Sequence, residues 1–248
     1  MSERPPRRLH HEIADVAVTG LTGLALALAL RIAVFQPFTI PSSSMEPGLV
    51  TGDYILVSKW AYGWSRASLP FNPPLPGGRW LGRDPHRGDV VVFRLPRDPK
   101  QVWIKRVIGL PGDRVQVRGG VVSVNGVALP QAAQGEGRDH DAPGRIVSLA
   151  EEAQGHRRYP IYASAPGSPG ADTDIYRMPD RAYLVMGDNR DNSLDGRWPR
   201  EVGVGYLPAD NLVGRATIVA ASWRNGASIL KPWTWLNLDA GRFLKPIG

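Results

Sequence analysis

From Val16 to Phe35 the chain reads VAVTGLTGLALALALRIAVF, twenty residues with a single charge, at Arg31. As a helix rising about 1.5 Å per residue, such a run covers a hydrocarbon core of about 30 Å. It therefore predicts a transmembrane helix over 16–35, with residues 1–15 as a tail on one side and the bulk of the chain on the other. Arg31 sits near the far end, where its aliphatic stem can stay in lipid while the guanidinium reaches the headgroups. Arg4, Arg7 and Arg8 precede the run, and no Lys or Arg falls between Arg31 and Lys59. The positive-inside rule then puts the N-terminus in the cytoplasm and everything after Ile40 outside it. A cleaved secretory signal is the competing reading. No small-x-small site followed by a polar start comes after the run, which favours a single retained span.

The 248 residues contain no cysteine, which excludes disulfide frameworks, thiolate metal clusters and a cysteine nucleophile. Any nucleophile must be oxygen or nitrogen. With 28 glycines and 23 prolines the chain is rich in turns, and this favours short strands over long helices. The 30 Lys and Arg against 23 Asp and Glu leave a net charge of +7. These basic residues are scattered and form no stripe, so the reading is attraction to an anionic phospholipid surface and no nucleic-acid binding.

Beyond the span, strands are predicted at Tyr54–Val57, Asp89–Arg94, Val102–Leu110, Ala182–Met186 and Ala216–Trp223, all rich in β-branched or aromatic residues. Asn125-Gly126 inside Val121–Leu129 is a type I′ hairpin signal. A Pro/Gly-rich loop covers Ser68–Arg87. The stretch from 130 to 180 is polar and poor in aliphatics, and reads as an inserted, irregular subdomain. The expected fold is mainly β: an antiparallel sheet or barrel-like domain in two parts, 36–129 and 181–248, interrupted by the insert and tethered by one helix.

Three clusters carry candidate chemistry. Pro41-Ser-Ser-Ser-Met-Glu-Pro47 puts three hydroxyls between prolines directly after the span; a flexible linker has the same composition, but structured sequence resumes at Gly52. Lys105, on a strand, shares a face with apolar Trp103 and Val107. It is either an edge-strand gatekeeper or an ammonium held where its charge is disfavoured, and in the second case it can act as a general base near neutrality. The third cluster is Gly187-Asp-Asn-Arg-Asp-Asn-Ser-Leu-Asp-Gly-Arg197. Asp191, Ser193 and Asp195 imitate the start of a calcium loop, but position 12 is Val202 and the flanking helices are missing, so calcium is rejected. A solvated turn is the remaining plain reading.

Other nucleophile schemes fit less well. No Gly-x-Ser-x-Gly occurs. Ser228-Ile-Leu-Lys231 has Ser-x-x-Lys spacing but lacks the accompanying penicillin-binding motifs. A triad on His86 has no supporting motif, and His10, His11, His140 and His156 lie in the tail or in loop-like sequence.

Taken together, Phe38-Thr-Ile-Pro-Ser-Ser-Ser-Met-Glu-Pro47, Gly52–Gly63, Arg87-Gly-Asp-Val-Val-Val-Phe93, Lys105-Arg-Val-Ile-Gly-Leu-Pro-Gly-Asp113 and Gly187–Arg197 resemble, in order, the blocks of bacterial type I signal peptidases. These are membrane-bound serine proteases of the Ser/Lys dyad type. The resemblance implies that Ser44 is the nucleophile and Lys105 the general base. It implies that the Ser42 hydroxyl joins the backbone N–H of Ser44 in an oxyanion hole, and that Ser193 orients the lysine amine. Asp188, Asp195 and Arg197 would be structural support. The sequence departs from the commoner pattern at Gly48 and Gly196, neither of which has an implied catalytic role. The implied partners are signal peptides of exported preproteins at the outer face of the cytoplasmic membrane, with no metal and no cofactor. The rival is a tethered β domain that only binds partners; a self-cleaving repressor of the same dyad type is disfavoured by the anchor.

Overall fold

The computed structural model describes residues 7–139, 144–223 and 231–248. Helix α1 spans Arg7–Ala33. Its window Glu12–Ala29 has a mean hydropathy of 1.5, and its side chains are exposed along the whole window. An apolar helix covered by none of its own protein is the pattern of a membrane span. The helix ends two residues short of the predicted limit, because Phe35 opens a strand. Pro37 lacks the N–H a helix would need and pushes Gln36 toward extended backbone.

The strands are β1 (Phe35–Thr39), β2 (Asp53–Ser58), β3 (Val90–Leu95), β4 (Asp98–Gly109), β5 (Arg114–Arg118), β6 (Val121–Val124), β7 (Val127–Ala128) and β8 (Gln131–Arg138). They continue with β9 (Ile146–Gln154), β10 (Arg157–Tyr162), β11 (Tyr176–Arg177), β12 (Ala182–Met186), β13 (Leu207–Pro208), β14 (Leu212–Ser222) and β15 (Lys245–Pro246). The main sheet runs β1-β2-β14-β3-β4-β12-β13, antiparallel throughout, with β15 added to β14. β14 slips register against both β2 and β3 and so bends between them.

Both faces of this sheet are buried, which explains the unbroken apolar run in β3. Val90 and Val92 pack with Ile55, Val57, Met45 and Val219, while Val91 and Phe93 face the other way onto Val107, Val185 and Leu212. A second sheet, β11-β5-β6-β7, covers Ile108, Leu184 and Met186. At its β6–β7 turn Asn125 and Gly126 adopt positive φ of 55° and 82°, the type I′ geometry read from the sequence.

Within the insert, residues 131–138, 146–154 and 157–162 form a regular antiparallel sheet, β8-β9-β10, so part of it is more ordered than its composition suggests. Its strands escaped notice because β8 is almost wholly exposed and Glu152 and Gln154 occupy interior positions of β9 that usually hold aliphatics. Its small core is Ala150, Tyr159 and Ile161.

Candidate active site

The segment after β1 is folded, not a linker. Ile40 N–H donates to Asp53 O at 2.8 Å and Gly52 N–H donates to Ile40 O at 3.0 Å, closing the loop that carries the three serines. Ser43–Met45 form one 3-10 turn. Met45 is buried in the core beside Leu49, and Ser43 is also buried, so the turn is pinned on both sides of Ser44. Ser42, just before the turn, has extended backbone and an exposed side chain that makes no capping hydrogen bond.

Lys105 lies on β4 opposite Val91, on the face it shares with Trp103 and Val107. It is 3% exposed, which decides between its two readings: it is an interior lysine and not an edge gatekeeper. Its Nζ lies 2.6 Å from Ser44 Oγ and 5.7 Å from the Trp103 ring centroid. Burial lowers its pKa from 10.5 to about 8, against the opposing pull of Asp195 and Asp188. When the amine is charged it donates to Ser44 Oγ; when it is neutral it accepts the serine proton. This is the geometry that a hydroxyl nucleophile and its general base require.

The loop after β12 closes over this pair. Asn189 N–H donates to Ser44 O at 3.2 Å, and Gly187 N–H donates to Asp195 at 2.9 Å. A Cβ on Gly187 would lie 2.4 Å from both Ser44 O and Ser193 Oγ, so only glycine lets the two segments approach this closely. Arg197 grips Asp195 with two hydrogen bonds of 2.9 Å. Burial alone would raise the Asp195 pKa, but the guanidinium and the backbone donors bring it below the ordinary carboxylate range. Asp188 receives two hydrogen bonds of 2.7 Å from Arg106, the neighbour of Lys105 on β4. These bonds tie Asp188 to β4 and Asp195 to Arg197 within the loop.

Ser193 does not behave as the resemblance implies. Its Oγ is buried beside the dyad but has no hydrogen-bond partner, so it does not hold the Lys105 amine in this structure. It lies against the Gly187 backbone, while the Lys105 amine lies on Ser44 Oγ. Gly196 is closely packed as well: a Cβ there would lie 2.9 Å from Val185 O and Leu184 Cδ1.

Three features had no place in the sequence reading. Arg106 packs 3.7 Å over the Tyr159 ring as well as binding Asp188. A charged residue inside an apolar strand signals a partner, but not which one. Arg190 and Glu152 form a fully buried ion pair between the catalytic loop and the insert. Asp139, at the end of β8, is also buried against that loop.

Ser42, Ser44, Lys105 and Ser193 line one cavity of about 410 Å³ whose remaining wall is largely apolar: Phe38, Ile40, Ile55, Val92, Trp103 and Ile104. His86 is 83% exposed and lies against Asp89 outside this cavity. His140 and Ser228 are outside the described residues. Asp191 accepts from Ala165 N–H and Ser168, and Asp195 is engaged by Arg197, so the two carboxylates do not converge on a cation. Among the described residues no cluster of three metal-ligating side chains occurs.

Signal peptidase I of Rickettsia typhi is 34% identical over 229 residues, 85% of each chain, and that of Rickettsia canadensis 33% over 228 residues, 85% of this chain and 84% of that one. A crystal structure of a signal peptidase I from Enterococcus faecalis aligns with 54% of this chain and 97% of its own, at a TM-score of 0.32 and 24% identity. The family described as Signal peptidase, peptidase S26 matches residues 13–223, and the chain belongs to that family of serine hydrolases.

Proposed function

We propose that the protein cleaves N-terminal signal peptides from exported preproteins at the outer face of the cytoplasmic membrane. The observation that carries this reading is the 2.6 Å contact between Ser44 Oγ and a Lys105 amine whose pKa burial has lowered to about 8. Neutral Lys105 takes the Ser44 proton as Oγ attacks the scissile carbonyl. The Lys105 ammonium then protonates the leaving amine, and an acyl-enzyme remains on Ser44. Water, deprotonated by the same lysine, releases the new carboxylate and restores the serine. The Ser42 hydroxyl and the Ser44 N–H are the donors proposed for the developing oxyanion; one such donor typically contributes a few kcal/mol, about 3, to the transition state. Asp188, Asp195 and Arg197 hold the loop, and Ser193 supplies a hydroxyl beside the amine. The reaction as proposed needs no metal and no cofactor.

The apolar helix supports membrane attachment, and only ten residues separate Val34 from Ser44. At no more than about 3.6 Å per residue, the nucleophile works within about 35 Å of the helix end. A signal peptide presents its cut site just past its own apolar segment, after small residues, so enzyme and substrate meet at matching depth. The test is cleavage of a preprotein by the purified, detergent-solubilised protein, followed by sequencing of the product. A preprotein with alanine before the cut is processed there; replacing that alanine by phenylalanine stops processing by steric overlap. Efficient cleavage after phenylalanine would contradict the signal-peptide reading while leaving a Ser/Lys protease.

A further inference from the structure

The insert contributes more to the site than a nearby surface. Asp139, the residue after β8, is fully buried, with Arg145 Nη1 4.0 Å from its Oδ2. Its Oδ2 accepts from the side-chain amides of Asn189 at 3.2 Å and Asn192 at 3.3 Å. Each of those amides also donates to Ser43, the residue beside the nucleophile. Asn192 Nδ2 donates to Ser43 Oγ at 2.8 Å, and Asn189 Nδ2 to Ser43 O at 3.3 Å.

A side-chain amide has a donating and an accepting end, and a half-turn exchanges them. Turned the wrong way, Asn189 would set its oxygen against the Ser43 carbonyl. Asp139 Oδ2 accepts from both amides, and so holds them with their NH2 groups toward it and toward Ser43. We propose that Asp139 is a positioning residue for the peptidase reaction: through Asn189 and Asn192 it locks the Ser43–Met45 turn so that Ser44 Oγ stays on Lys105. This rests on the proposed function for its kinetic consequence, but not for its structural one. It also assigns the insert a task, since the residue just past β8 carries the carboxylate while Arg190–Glu152 and the backbone bonds between Tyr162 and residues 188 and 190 hold the insert against the loop.

The experiment uses the full chain in detergent, with Asp139→Ala, Asp139→Asn, Asn192→Ala and the double Asp139→Ala/Asn192→Ala variant. For wild type and Asp139→Ala, deuterium uptake is followed at the backbone amides of residues 43–46. The inference predicts uptake faster by about tenfold or more in the Ala variant, with the β3–β4 amides unchanged. In cleavage assays Asp139→Ala lowers kcat by about tenfold with KM nearly constant, and Asp139→Asn, which keeps an acceptor oxygen, recovers part of the loss. The double variant loses no more than the worse single one, because the two residues act through one link.

Unchanged uptake at 43–46 overturns the inference, whether or not the protein cleaves the substrate. So do losses that multiply in the double variant, or that fall on KM alone. If Asp139→Ala does not fold, Asp139→Asn and Asn192→Ala carry the same comparison, and uptake unchanged in both is the contradicting result. A wild type that fails to cleave while Asp139→Ala still loosens residues 43–46 leaves the clamp standing and removes only the peptidase reading.

Discussion

Ser44 Oγ and Lys105 Nζ meet at 2.6 Å although 61 residues separate them, and the lysine reaches the contact from the interior face of a strand. The amine therefore loses most of its hydration where it meets the hydroxyl. That loss lowers its pKa to about 8, so a substantial fraction of the amine is neutral and able to accept a proton near that pH.

The first prediction concerns pH. The folded pKa of Lys105 is depressed, and the proposed mechanism uses the neutral amine, so kcat/KM is expected to rise with pH and reach half its plateau near pH 8. Well below that value it falls about tenfold per pH unit. Initial rates on a signal-peptide substrate between pH 6 and 9.5 check this.

A second prediction links the same group to stability. Between about pH 8 and 10.5 the unfolded chain binds the Lys105 proton and the folded one does not, so stability rises with pH across that window. Below it, folding carries the cost of a buried ammonium. Lys105→Met is inactive, yet at pH 7 it is more stable than wild type by about 1–3 kcal/mol and lacks the rise. Urea unfolding at pH 7 and pH 10 measures both.

Gly187→Ala tests the close approach of the loop to the nucleophile. With only 2.4 Å available beside Ser44 O and Ser193 Oγ, the added methyl forces the segments apart. The variant is less stable by about 1–3 kcal/mol, and a dyad misplaced by about 1 Å loses about a hundredfold in kcat. Thermal melting and turnover of the variant beside wild type provide the check.

Arg106 and Asp188 form a buried pair, with side chains 3% and 1% exposed. Breaking it by Arg106→Leu leaves a carboxylate in the interior and destabilises by about 3–5 kcal/mol. The double change Arg106→Leu/Asp188→Leu restores part of that loss, because no unpaired charge remains. Denaturant midpoints of the three proteins decide it.

The elements legible in the sequence were those whose side chains obey one simple rule. β12 matches its predicted limits residue for residue, because all five positions are buried and apolar. The lysine on β4 was visible because an ionisable residue among Trp103 and Val107 must be either exposed or functional. β1 was missed because Pro37 argues against a strand; as an edge strand with a free side it tolerates a missing N–H. The insert was misread for a different reason: its interior is held by Glu152, Gln154, Tyr159 and Arg190, and polar cores leave no apolar period. Ser44 and Lys105 were singled out by motif order and family resemblance, and the structure brings them together, whereas the Asp139–Asn192–Ser43 link depends on side chains far apart in the chain.

The most direct test of the dyad is single-turnover cleavage of a preprotein by wild type, Ser44→Ala and Lys105→Arg at pH 8.5, with the products identified by mass spectrometry. Arginine keeps the positive charge but cannot accept the serine proton at any working pH. The account predicts one cut after a small residue by wild type, and no cut above background by either variant while both remain folded. Cleavage by Ser44→Ala, or near-wild-type turnover by Lys105→Arg, would contradict it.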